Sequence, residues 1–269
     1  MSELSTFVVP TNLKRSLRHL ARRLRRITQA PEPSRVDIVR RVDTHLSHTE
    51  RLLLFTLVRG ARPQRVLEVG TWRGASAAII AAALEDNGAG TVTGVDPLNV
   101  VEYPRRWYFG RFTLVQESSP AGIERARQIA GGPFDFVHMD GINIYSQVRA
   151  DLSAVLPHLA ERALVLVNNP LHFGVNQAVV ELLKANDRLV DCGFLSAVGD
   201  PNVIPEHAYC GLRLLRWGAQ VDASTSFVEN AFDVAGKIAP RYEPDLIDHD
   251  VWYCREIRPC PRCAKKLGT

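Results

Sequence analysis

The stretch Arg65-Val-Leu-Glu-Val-Gly-Thr-Trp-Arg-Gly74 constrains this chain more than any other. Val66, Leu67 and Val69 read as a short buried strand, Gly70 and Gly74 punctuate a tight turn, and the small apolar run Ala75 to Leu84 reads as a helix. Strand, glycine turn and helix make a unit that can cradle a nucleotide. Glycines let backbone approach a ligand closely, and a helix start offers unpaired N–H groups. The spacing is G-x-x-x-G behind Glu68, not the G-x-G-x-x-G of a dinucleotide site. A pyrophosphate wants the second close glycine. A carboxylate here suits a cationic ligand instead.

A second strand, Thr91-Val-Thr-Gly-Val-Asp96, ends in an acid. In an open α/β sheet an acid at that position accepts hydrogen bonds from a ribose diol. E-V-G-T-W-R-G and G-V-D-P together resemble the cofactor loop and ribose-binding acid of the class I S-adenosylmethionine-dependent methyltransferases. An ordinary βαβ unit of another fold is the alternative, and it explains each motif alone better than both in order. The resemblance implies that Glu68, Gly70, Thr71, Gly74 and Asp96 hold S-adenosyl-L-methionine. It also places Glu117 and Ser118, at the end of a third strand Phe112 to Gln116, beside the adenine, and Asp140 at the rim of the same site.

With 269 residues, 46% of them hydrophobic, the chain can bury one sizeable core with extra elements at its ends. No apolar run is long enough to cross a bilayer, and none at the N-terminus reads as a secretory signal. Five cysteines, an odd number, fit a reducing cytoplasm better than a disulfide framework. The net charge of +4 is unevenly placed: Lys14, Arg15, Arg18, Arg22, Arg23, Arg25 and Arg26 account for seven positive charges, so the remainder stands at −3. Leu13, Leu17, Leu20, Leu24 and Ile27 fall on one face of that same segment. An arm docked on the body or on a second subunit is the plain reading of residues 1–35. Contact with an anionic membrane or with nucleic acid is less expected.

The body, residues 36–218, alternates helices and strands. Helical segments fall at Val36 to Arg59, Ile123 to Ile129, Tyr145 to Leu159 and Val175 to Ala185. Pro97 to Arg111 is expected to form a packed helix or part of a lid. Further strands fall at Phe134 to Met139 and Ala163 to Val167, and Leu189 to Val198 pairs with Tyr209 to Trp217. The expected architecture is α/β, a doubly wound, Rossmann-like, seven-stranded mixed sheet with an antiparallel terminal hairpin, as in the family it resembles. Residues 219–269 form a C-terminal extension outside that sheet.

Methyl transfer from a sulfonium requires an aligned acceptor and a group that takes its proton. F-D-F-V-H-M-D-G-I-N-I-Y, followed by A-L-V-L-V-N-N-P, is similar to the metal-dependent small-molecule O-methyltransferases of the catechol type and of the macrolide-sugar type related to cephalosporin hydroxylase. The resemblance implies Mg²⁺ ligands at Asp140, Asn168 and Asn169. Asn168 stands where an Asp is usual, and Ile142 and Asn143 replace an acid and a histidine. One carboxylate and two amides make a poor Mg²⁺ site. His172, Asp140 and Asn143 are the catalytic candidates, while His138 alternates with apolar residues and reads first as a buried, hydrogen-bonded histidine. Cys260-Pro-Arg-Cys263, with Cys254 and His249, has the chemistry of a structural Zn²⁺ site, although free thiols are the simpler reading.

The chain therefore reads as an S-adenosylmethionine-dependent methyltransferase of a hydroxyl on a small molecule, a sugar or natural-product scaffold, expected to form a homo-oligomer. Two alternatives stay open: a related fold running other chemistry through its altered acceptor site, and a cofactor-binding module whose basic arm contacts nucleic acid or membrane.

Overall fold

The computed structural model describes residues 35–99, 101–196 and 211–218. The basic arm and the extension that carries His249, Cys254, Cys260 and Cys263 lie outside the described residues, and so does the Zn²⁺ expectation built on them.

Among the described residues two helices precede the first strand, α1 (Arg35–Arg41) and α2 (His48–Ala61). The second starts on a capping box. Ser47 Oγ accepts from the Glu50 N–H, and Glu50 Oε2 accepts from the Ser47 N–H at 2.7 Å. Then follow β1 (Arg65–Val69), α3 (Ala75–Asn87), β2 (Thr91–Val95), β3 (Phe112–Val115), α4 (Gly122–Ala130), β4 (Phe134–Met139), α5 (Tyr145–Val155), β5 (Leu159–Asn168), α6 (Phe173–Ala185), β6 (Leu189–Ser196) and β7 (Leu212–Trp217). The seven strands lie in the order β3-β2-β1-β4-β5-β7-β6. β1 to β5 are parallel, and β7 runs antiparallel between β5 and β6. This is the mixed sheet with an antiparallel terminal hairpin that the sequence predicts.

The pleat sends alternate residues to two cores. Val66, Phe136, Leu166 and Leu212 meet α1, α2 and α3 on one face. Leu67, Val69, Val137, Met139, Val165 and Val167 meet α4, α5 and α6 on the other. Every residue of α3 from Ala75 to Leu84 is buried, so this helix is apolar all round instead of amphipathic.

Three expectations change. Between β2 and β3 the described residues hold a 3₁₀ turn, Arg105–Tyr108, in place of the packed helix that was one of the two expectations for residues 97–111. Tyr103 and Trp107 stack at 5.3 Å, and the Tyr103 hydroxyl both donates to Asp43 O and accepts from its N–H, so aromatic packing spends the segment before it can coil. α5 stops at Val155, with Leu156–His158 as a 3₁₀ turn around Pro157. β5 begins at Leu159, earlier than its apolar run, because the exposed Glu161 and Arg162 continue the strand at its amino end. Among the described residues no helix is long and apolar enough to cross a membrane.

Candidate active site

Strand order reverses between β1 and β4, and ligands of open α/β sheets bind in the crevice at such a point. The loops after these strands are in direct contact. The Asp140 N–H donates to Val69 O at 2.9 Å. Gly70 has φ +86°, and a Cβ there would stand 2.2 Å from Asp140 O. Gly74 has φ +82°, and its Cβ would stand 2.4 Å from the Tyr108 hydroxyl, which donates to Gly74 O. Besides the ligand approach expected of them, these glycines make room for the chain's own backbone and Tyr108.

The glycine loop is tied to the end of β2. Asp96 Oδ2 accepts from the Trp72 N–H at 2.7 Å, and its Oδ1 accepts from the Leu98 N–H at 2.8 Å. Each carboxylate oxygen has a second lone pair for a further donor. Thr71 is buried, and its Oγ1 has no hydrogen-bond partner among the described residues. The turn between α1 and α2 packs on the same loop: Arg73 pairs with Asp43 at 3.1 Å, and the His45 and Trp72 rings lie 5.2 Å apart.

Below the loop lies a buried acid–imidazole pair. Glu68 and His138 are paired in the β1–β4 register, both are 0% exposed, and His138 Nδ1 lies 3.4 Å from Glu68 Oε1. Burial pushes the imidazole pKa down, but the hydrogen bond to Glu68 and the charges of Asp140 and Glu68 outweigh it, so the pKa is raised. Glu68 Oε2 and His138 Nε2 have no partner among the described residues. Burial, helped by the Glu68 charge, raises the Tyr108 phenol and keeps it a donor.

Asp140 is half-buried beside this pair. Burial pushes its carboxyl up to about 6, opposed by His138 and by the Asn168 amide, which donates from Nδ2 to Asp140 Oδ1 at 2.6 Å. Asn169 follows with φ 52°, its N–H donating to Gly211 O. This donor set fits Mg²⁺ poorly, as the sequence suggests: Asp140 is its one carboxylate, and the neighbouring Asn168 amide donates its N–H to it. Among the described residues no group of three His, Cys, Asp or Glu side chains can hold a metal ion.

The remaining candidates stand around the rim. His172 is the N-cap residue of α6, its N–H donating to Asn169 O, and Asn143 is half-buried in the loop after β4. Glu117 pairs with Arg125 at 3.1 Å, while Ser118 is exposed and accepts the Gly122 N–H on its carbonyl. Tyr145 is engaged with Glu181 and Arg149 and packs on its helix.

Sequence reasoning missed two acids. Asp151, on α5, is 1% exposed, accepts from Gln147 Nε2 at 2.8 Å, and is pushed up to about 6 by burial. Gln147 also donates to Ser119 O, tying this acid to the loop after β3. The other is Glu50, legible only as the N3 partner of the Ser47 cap. A separate shallow depression of about 340 Å³, lined by Ser153, Leu156, Pro157, Leu182, Asn186 and Trp217, includes none of the site residues.

Residues 67–169 match the model of a methyltransferase-domain family. No curated protein matches the chain in sequence. Among solved structures, an O-methyltransferase from Bacillus cereus in complex with S-adenosylhomocysteine has a TM-score of 0.52 at 18% identity, covering 73% of this chain and 96% of that one. A methyltransferase from Podospora anserina bound to the same product has a TM-score of 0.51 at 14% identity, with 80% and 100% covered. The mycinamycin-pathway methyltransferase MycE, in complex with Mg, S-adenosylhomocysteine and mycinamycin VI, has a TM-score of 0.50 at 16% identity, with 82% and 67% covered. At these identities the likeness is one of fold. The matched segment runs from β1 to the end of β5, and over it and the rest of the sheet this chain shares the fold of these methyltransferases.

Proposed function

We propose that this chain transfers the methyl group of S-adenosylmethionine to a hydroxyl of a small molecule. The observation that carries the reading is the meeting of the Gly70 loop with Asp140 at the reversal of strand order, above a buried, half-unpartnered Glu68. These residues fit the cofactor. Glu68 Oε2 is a buried acceptor without a donor, which suits an ammonium group. The first turn of α3 offers its N–H groups to a carboxylate. Asp96 keeps lone pairs for a ribose diol, and Ser118 and Glu117 stand at the β3 end, on the adenine side. When bound, the cofactor supplies an electrophilic methyl group on a positively charged sulfur.

Asp140 takes the acceptor's proton. Its carboxyl near 6 makes it a stronger base than an ordinary aspartate while leaving it ionised at neutral pH, and the Asn168 N–H fixes its orientation. His172 stands at the acceptor side as the second candidate base. Because the Asp140–Asn168 pair does not fit Mg²⁺, methyl transfer is expected to survive chelation. The test is transfer of labelled methyl from S-adenosylmethionine to a panel of sugar and phenolic hydroxyls, with and without EDTA. Transfer that persists in EDTA supports the metal-free base, and transfer that requires added Mg²⁺ contradicts it.

A further inference from the structure

We infer that Glu50, on the first turn of α2, is a second carboxylate of the cofactor's cation site, placed with Glu68 to receive the ammonium of its amino-acid half. The inference rests on the S-adenosylmethionine reading above and extends it to a residue outside the matched segment 67–169.

Glu50 is 1% exposed. One oxygen closes the helix cap, but Oε1 is buried with no hydrogen-bond partner among the described residues. Capping does not explain a charge here, since a glutamine at the same position closes the same box. A buried carboxylate with an unmet oxygen is costly unless a cation or donor arrives to meet it.

The topology puts Glu50 where such a cation would sit. The last turn of α2 meets the end of α3 at the amino edge of the sheet, where Asn87 Nδ2 donates to Val58 O. Its first turn therefore stands at the carboxyl edge, with Glu68 and Asp140. The turn just before it is held on the glycine loop by the Arg73–Asp43 ion pair and the His45–Trp72 contact. The Glu50 and Glu68 charges both act on Asp140, in the same direction. Glu68 pairs with His138 through one oxygen, while its other oxygen and Glu50 Oε1 stay buried without a donor among the described residues. A cationic ligand meets both open oxygens.

The experiment is calorimetric titration of the full-length protein and Glu50→Gln with S-adenosylhomocysteine and with 5′-methylthioadenosine, which lacks the amino-acid half. Glutamine keeps the cap and the volume and removes the charge. Glu50→Gln is expected to weaken S-adenosylhomocysteine about 10- to 100-fold, the worth of a buried charge-assisted hydrogen bond, and to leave 5′-methylthioadenosine unchanged. Unchanged affinity for S-adenosylhomocysteine, or equal weakening of both compounds, overturns the assignment. Ser47→Ala is the control: it breaks the cap but keeps the charge, and is expected to retain S-adenosylhomocysteine affinity. A loss there as large as in Glu50→Gln would make the effect one of helix stability and overturn the inference too. If the folded wild type binds neither compound, the cofactor reading itself falls, an outcome distinct from the failure of Glu50 alone.

Discussion

Asp140 changes charge close to neutral pH. Burial raises its carboxyl to about 6, above the ordinary aspartate value, so the basic form dominates above that pH and disappears below it. As general base it must be ionised to work. Methyl transfer at saturating cofactor should therefore rise with pH through about 6 and level off above it. Asp140→Asn should lower kcat by about 10²- to 10⁴-fold and flatten that limb, with affinity for S-adenosylhomocysteine retained. A pH–rate profile of both proteins checks this, and an unshifted limb in the variant would assign the base to another group, His172 first. None of this was legible in the sequence, where D-G-I-N places an acid after a strand but says nothing of its burial. The Glu68–His138 pair escaped for a related reason. It depends on a parallel register between residues 70 positions apart, and only the closed sheet reveals it.

At the scale of elements, the segment between β2 and β3 acts as a strap on the glycine loop. Its 3₁₀ turn presents Tyr108, whose hydroxyl donates to Gly74 O at 3.2 Å, immediately before α3 begins. Tyr108→Phe removes that donor and little volume. It should cost about 1 kcal/mol of stability, the net worth of one such hydrogen bond, and should weaken S-adenosylhomocysteine because the N-terminus of α3 is less firmly held. Urea unfolding and calorimetry read the two effects. Loss of stability with unaltered affinity would show that the strap plays no part in binding. Sequence periodicity cannot see a strap of this kind. Tyr103 and Trp107, four residues apart, fit a helical face as well as a stacked pair, and the contacts that decide between them lie at the start of α3 and on the turn before α2.

For the whole molecule, the alternation of apolar strands with helices was enough to lay out the described sheet. Its reading rested on residues that are buried on both faces, such as Val66 to Val69 and Val165 to Val167, where local pattern and tertiary position agree. The exposed amino end of β5 was the part least marked, because Glu161 and Arg162 look like loop. The site was legible as a place and not as a mechanism. Glu68, Asp96 and Asp140 were found by their positions at strand ends. The amide turned toward Asp140, the tie between Asp96 and Trp72, and the half-satisfied Glu50 all depend on contacts between distant segments.

Whether the crevice above Glu68 holds S-adenosylmethionine is decided by calorimetric titration of S-adenosylhomocysteine into the wild type and Asp96→Asn. Asp96→Asn keeps an oxygen for one of the two backbone N–H groups of Trp72 and Leu98 but removes the charge that would hold the ribose. Micromolar binding by the wild type, about 8 kcal/mol, with at least tenfold loss in the variant, is the predicted result. A well-folded wild type with no affinity for S-adenosylhomocysteine would contradict it.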